Sequence, residues 1–247
     1  MFKDYFSTVS DSYRSYRPRY PVELFAYLRQ VAPSPSLAWD CATGNGQAAT
    51  MLAQQFASVI ATDASAEQIA EAERAGNLSY RVETAENTTM ADSSVDLTTV
   101  AQALHWFDLP AFAAEVRRVS APDAVLSAWS YAILESTPAV DAVIDTLYNG
   151  ILGNYWTPER KLVEEGYASV TLPFEELATP RFAMHADWTL GQMLGYLSTW
   201  SAGKRYEEEH GSVALNLVRD ELADAWGDAD SRKRISWPLT VRAWRVE

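Results

Sequence analysis

From Leu37 to Tyr131 short apolar runs alternate with stretches whose apolar residues recur at helical spacing. That alternation predicts repeated strand-helix units and a parallel sheet. Strands are expected near Leu37–Cys41, Ser58–Thr62, Ser79–Glu83, Val95–Ala101 and Ala124–Trp129. Between them, Ser65-Ala66-Glu67-Gln68 forms a capping box that opens a helix, and Gly76 is placed to end it. Asp108 can cap the next helix, whose first turn accepts Pro110 and which stops before Pro122.

After Tyr131 the alternation is lost. Two late strands are expected, at Ser169–Leu177 and Ile235–Val246, set among helical insertions. In the second, Val241, Ala243 and Val246 interleave with Arg242 and Arg245, the pattern of an antiparallel or edge strand. Thr189-Leu190-Gly191-Gln192 is a further capping box, and the helix it opens places Met193, Leu194, Leu197 and Trp200 on one face. The fold class expected is α/β: a doubly wound, mostly parallel, seven-stranded sheet with an antiparallel late strand and a helical cap. It divides into an N-terminal helical arm over 1–36, a ligand-binding core over 37–131, and late strands with cap over 132–247, all one folded unit.

Composition narrows the function. The 247 residues are 48% hydrophobic and 21% charged, with no run of the roughly 20 apolar residues that would span a bilayer, so neither membrane partner nor secretion is expected and the cytoplasm is. The single Cys41 reads as small filler, and His105, His185 and His210 lie too far apart for a zinc set, so no metal is expected. His185 and His210 read as surface or structural residues. A net charge of −13 disfavours nucleic acid. The charge is uneven: residues 1–36 sum to +2, residues 37–131 to −8 and residues 132–247 to −7. The one positive region holds Arg14, Arg17 and Arg19 among tyrosines, an arm able to fold over a ligand and meet a carboxylate with a guanidinium fork. Six of the nine tryptophans lie beyond residue 150 and read mainly as core.

The strongest local signal is Asp40-Cys41-Ala42-Thr43-Gly44-Asn45-Gly46-Gln47, after an apolar strand and before a helix. Small residues at 42, 44 and 46 let the backbone approach a bound group. Asp63, twenty-three residues beyond Asp40, ends the next strand, where a carboxylate can accept both hydroxyls of a ribose. Gly44 to Ala49 also satisfies the relaxed G-x-G-x-x-A pattern of nicotinamide cofactors. Asp40, just ahead of the turn, would repel a pyrophosphate and welcome an ammonium, which favours a cationic nucleoside.

Asp40-x-Ala42-x-Gly44-x-Gly46, Asp63, Ala85-Glu86 and Ala101-Gln102-Ala103-Leu104-His105-Trp106-Phe107 resemble the class I S-adenosylmethionine-dependent methyltransferases, whose sheet is Rossmann-like. Tyr13-Arg14-Ser15-Tyr16-Arg17-Pro18-Arg19-Tyr20-Pro21 and Thr199-Trp200-Ser201-Ala202 resemble the subgroup that includes trans-aconitate methyltransferase. The resemblance is strong over 1–131 and looser beyond. It implies S-adenosylmethionine as cofactor, S-adenosylhomocysteine as product and a small-molecule acceptor. Gly44 and Gly46 would admit the cofactor, Asp40 would lie near its ammonium, Asp63 would hold the ribose and Ala64 would lie against the adenine. Ala85, through its backbone, and Glu86 would read the adenine edge. Gln102 would present backbone to the methionine moiety, and Tyr13 and Arg17 would close over its carboxylate. Ala42 replaces the usual first glycine and Thr84 a usual acid; an alanine at 42 calls for negative φ there.

His105 and Trp106 aim at the acceptor, with Trp200 as a further substrate contact. His105 is the candidate general base if the acceptor is a phenol, amine or carbon acid; a carboxylic acid needs a cationic pocket instead, with Arg160, Lys161, Lys204 and Arg205 as candidate anchors. Two other readings remain open at this level: a nicotinamide oxidoreductase, and a cofactor-binding protein without catalysis.

Overall fold

The computed structural model describes residues 18–247. Helix α1 (Val22–Val31) leads into β1 (Leu37–Cys41), α2 (Gln47–Leu52), β2 (Ser58–Asp63), α3 (Ala66–Ala70), β3 (Leu78–Val82) and β4 (Val95–Ala101). A 3-10 turn (Leu104–Trp106), α4 (Leu109–Val119) and β5 (Ser120–Ser130) complete the parallel part. The strands run in the order β3-β2-β1-β4-β5, all parallel. β1 and β4 are the central neighbours, and nearly every residue in them is buried, as strands covered on both faces must be.

The sheet continues through β8 (Lys233–Arg245) to β6 (Glu175–Leu177). β8 is antiparallel to both neighbours and alternates as expected, with Ile235, Trp237, Leu239, Val241 and Ala243 buried. Seven strands thus lie in one path, and an eighth, β7 (Phe182–Trp188), pairs with the first half of β8 over Lys233–Leu239. The rest of β8, Thr240–Arg245, pairs with β5. The cap is α5 (Pro138–Asp145), a π-helical turn (Thr146–Ile151), α6 (Arg160–Glu164), α7 (Leu190–Leu197), α8 (Ser201–His210) and α9 (Arg219–Trp226). One apolar layer joins α1, α2 and the cap through Leu24, Phe25, Leu52, Met193 and Trp237; the other joins α4 to the chain around Tyr167 through Trp39, Phe112 and Trp244.

Several local expectations need correction. The strand expected over Ser169–Leu177 is mostly irregular: Gly166 and Tyr167 take positive φ, and Arg242 claims the carbonyls of Tyr167 and Val170, so no ladder forms before Glu175. Gly76 does not end α3. The helix stops at Ala70, because the Glu73 N–H turns back to the Asn45 carbonyl and the Glu73 carbonyl accepts from the Tyr80 hydroxyl. Trp200 lies beyond α7, at the start of α8. Asp108 does cap α4, accepting the Ala111 N–H at 3.1 Å, and Thr189 with Gln192 forms a complete capping box. Among the described residues no helix is long and apolar enough to cross a membrane.

Candidate active site

In an open α/β sheet, ligands settle outside the carboxyl ends of the strands where the strand order reverses. Here that point is between β1 and β4, and the crevice is flanked by the Asp40–Gln47 loop on one side and by Gln102–Trp106 on the other. Both loops are bent by left-handed backbone: Ala42 has φ +53°, Gly44 +56°, Gly46 +85° and Gln102 +58°. The negative φ expected at Ala42 is therefore not found. An L residue there costs about 1–2 kcal/mol, held in place by the packed loop around it.

Asp40, expected beside a ligand's ammonium, is fully buried and faces the loop itself. Its carboxylate accepts from the hydroxyls of Thr43 at 2.5 Å and Thr99 at 2.7 Å, and from the Ala49 backbone in the first turn of α2. Burial nonetheless pushes its pKa up to about 6, against those three bonds. The carboxylate thus occupies the helix start where a dinucleotide would lay its pyrophosphate. Asp63 is half-buried at the end of β2, and its oxygens accept the Gly44 N–H at 2.8 Å and the Ser65 N–H at 2.9 Å. Those bonds aim it across the glycine turn. At Gly46 a Cβ would come within 2.1 Å of the Tyr80 hydroxyl, so that glycine makes room for the protein's own tyrosine.

The other predicted cofactor positions fall around the same crevice. Ala64 follows Asp63, half-buried, and Ala85 is buried in the loop after β3, where Thr84 bridges Asn87. Glu86 turns one carboxylate oxygen to the Asp108 N–H at 3.2 Å, so that oxygen helps start α4. Gln102 donates its backbone N–H to the Trp129 carbonyl and its side-chain amide to the Tyr131 carbonyl, which fixes the turn after β4. Tyr13, Arg14 and Arg17 lie outside the described residues. Cys41 is buried and burial, with the Asp40 charge, pushes its thiol well up, as suits filler.

Across the crevice from Asp63, His105 rides the short turn after β4. Its Nδ1 lies 3.1 Å from the Tyr167 hydroxyl, and its ring lies against Trp106 at 4.6 Å. Burial lowers its pKa to about 4, and Arg160 pushes the same way against Glu159. Burial pushes the Tyr167 hydroxyl well above its ordinary range, so it stays protonated and can pair with either tautomer of His105. Trp106 is partly exposed. Trp200, expected as a substrate contact, is buried edge-on behind Tyr148 and Trp156 and supports the wall instead. Of the four candidate anchors, Lys161 is exposed beside Glu165, Arg205 donates to the Tyr155 carbonyl, Lys204 is half-buried on α8, and Arg160 turns into the aromatic cluster. Tyr148, Tyr167 and Trp156 were not singled out from sequence; only their fold neighbours identify them.

Residues 39–128 match the family model described as a methyltransferase domain. Over 238 residues, 95% of this chain and 90% of the other, the sequence is 33% identical to a protein of Dictyostelium discoideum named as a methyltransferase. The chain belongs to the class I S-adenosylmethionine-dependent methyltransferases. A solved structure described as a type II methyltransferase, from Anaeromyxobacter dehalogenans, is 43% identical with a TM-score of 0.89, covering 93% of this chain and 98% of that one. A methyltransferase structure from Anabaena variabilis shares the fold at 16% identity and a TM-score of 0.52, over 89% and 98% of the two chains. The cofactor of this methyltransferase is S-adenosylmethionine, and Asp63, held by the Gly44 and Ser65 N–H groups, and Asp40, buried at the start of α2, border the crevice between β1 and β4.

Proposed function

We propose that this methyltransferase converts a small carboxylic acid to its methyl ester, as the subgroup that includes trans-aconitate methyltransferase does. The observation that carries this reading is the state of His105. An imidazole with a pKa of about 4 is uncharged at neutral pH and a weak proton acceptor. Phenols, amines and carbon acids need a base poised near neutrality. A carboxylate is already ionised and needs none.

Each residue then has a defined task. Asp63 holds the ribose diol; Ala64, Ala85 and Glu86 border the adenine; the Gln102 carbonyl and the arm residues Tyr13 and Arg17 fix the methionine end. The bound cofactor supplies an activated methyl group and departs as S-adenosylhomocysteine. His105, with Nδ1 engaged by Tyr167, would offer its Nε2–H to one carboxylate oxygen and leave the other directed at the methyl group that the cofactor would supply. Trp106 borders the path. Because the reaction is a single displacement, positioning and exclusion of water are what the protein contributes.

The test is a labelled-methyl assay over small carboxylic acids, phenols and amines. Base-labile label in carboxylic acids alone is expected, at a rate unchanged between about pH 8 and about pH 6, where an imidazole of ordinary pKa would have lost most of its basic form. Label confined to phenols or amines would overturn the ester. Asp63→Ala is the control, weakening S-adenosylhomocysteine by about 10- to 100-fold through loss of a charged acceptor.

A further inference from the structure

Arg160 opens α6 and carries its guanidinium inward, with only 25% of the side chain exposed. Its stem end is fixed by others. Nε donates to the Tyr148 hydroxyl at 2.8 Å, and that hydroxyl donates to Glu164 Oε1 at 2.5 Å. The guanidinium carbon lies 5.0 Å from the Trp156 ring centre and 5.6 Å from that of Tyr148, both within cation-π range. The π-helical turn Thr146–Ile151 shapes this clamp: the Tyr148 carbonyl, within the turn, accepts the Trp156 indole N–H at 3.1 Å and holds the two rings 4.7 Å apart. Trp200 closes the back.

What remains is the outer edge of the guanidinium. Glu164 approaches only Nε, at 4.0 Å, outside hydrogen-bond reach, and Nη1 and Nη2 have no hydrogen-bond partner among the described residues. Two parallel N–H groups on a rigid plane match the two oxygens of an oxyanion. The edge is also in the right place. α6 packs against the Leu104–Trp106 turn, and the Arg160 charge is felt at both His105 and Tyr167.

We propose that Arg160 is the residue that selects the acceptor, binding an oxyanion of it through Nη1 and Nη2, and that Tyr148 and Glu164 are positioning residues that aim the fork. This rests on the reading of the protein as a small-molecule methyltransferase, and it holds whichever atom of the acceptor is methylated.

The experiment titrates benzoate, phthalate and phenyl phosphate into protein saturated with S-adenosylhomocysteine, by calorimetry and tryptophan fluorescence, for wild type, Arg160→Gln, Arg160→Lys and Tyr148→Phe. At least one anion is expected to bind wild type and to weaken by about 10- to 100-fold in Arg160→Gln, the loss of a charge-assisted pair. Arg160→Lys falls between them, and Tyr148→Phe loses less. S-adenosylhomocysteine affinity and the far-ultraviolet circular dichroism stay unchanged, which loss of the fold would not allow. A preference for phenyl phosphate over the carboxylates assigns the oxyanion to a phosphate ester. Wild type that binds none of the three, or Arg160→Gln that binds them equally well, overturns the proposal. If Arg160→Gln does not fold, Arg160→Lys decides, and affinity equal to wild type rejects the fork. Failure of the ester reading is separable: a carboxylate-bearing phenol methylated on its hydroxyl and lost in Arg160→Gln would refute the ester while keeping Arg160, and ester formation retained by Arg160→Gln would do the reverse.

Discussion

On the cofactor side of the crevice the shaping groups are main-chain: left-handed turns at Ala42, Gly44, Gly46 and Gln102, and amides that aim Asp63. On the opposite side, where we propose the acceptor binds, they are side-chain rings and one guanidinium, brought from Leu104–Trp106, the π-helical turn, α6 and the start of α8. A backbone device works only with particular residues at fixed spacing, whereas a wall of rings can be assembled from many places. Substitutions are therefore expected to cost most on the first side, while single side chains can retune the second.

The largest break in that contrast should come from Gly46→Ala. Its Cβ would enter a left-handed turn and meet the Tyr80 hydroxyl at 2.1 Å. Strain and overpacking add to about 3 kcal/mol, read as a lower melting temperature with lost S-adenosylhomocysteine binding. Tyr80→Phe in the same chain relieves only the contact with the hydroxyl. A fully bound, fully stable Gly46→Ala protein would show that the turn is not rigid.

Asp40 sharpens the contrast through pH. Its pKa is about 6 in the fold against 3.8 for the unfolded chain, so the stabilising effect of its protonated form is complete below about pH 4 and is lost as pH rises through 6. The loss amounts to about 3 kcal/mol. In Asp40→Asn this dependence disappears, so the stability of the variant relative to wild type should rise by about that much between pH 4 and pH 8, measured by denaturant unfolding. A constant difference across the range would mean that Asp40 is not desolvated in the fold.

The smallest effect belongs to Ala42→Gly. Relief of the positive φ is partly offset by the entropy of glycine in the unfolded chain, leaving a gain of up to about 1 kcal/mol. For a chain of this size that is roughly 2–4 °C in melting temperature. A lower melting temperature would place Ala42 outside the left-handed region.

The same contrast explains what could be read from the residues alone. β1 and β4 lie within their expected bounds, because buried parallel strands are continuous apolar runs, and the Gly44/Gly46 turn with Asp63 follows from spacing. β7 carries only a weak local signal, Phe182, Met184, Ala186 and Trp188 alternating with Ala183, His185 and Asp187; its partner lies some fifty residues away on β8, and a seven-residue strand has no local cap. The departures at Ser169–Leu177 and Ala42 come from tertiary forces, Arg242 on two carbonyls and a packed loop that outweighs the cost of positive φ. In sequence Arg160 is equivalent to Lys161, Lys204 and Arg205; the rings of Tyr148 and Trp156 that hold it come together only in the fold.

β8 carries one further implication. Its first half anchors the strand that leads into the cap, and its second half completes the edge of the parallel sheet, with no break in the thirteen residues between Lys233 and Arg245. The cap is consequently not a module that can be exchanged like a loop: cutting it out with β7 bares one half of a strand whose other half completes the sheet. Diversity of acceptors on such a scaffold has to arise by repainting the inside of the roof, one ring or one charge at a time, rather than by replacing it.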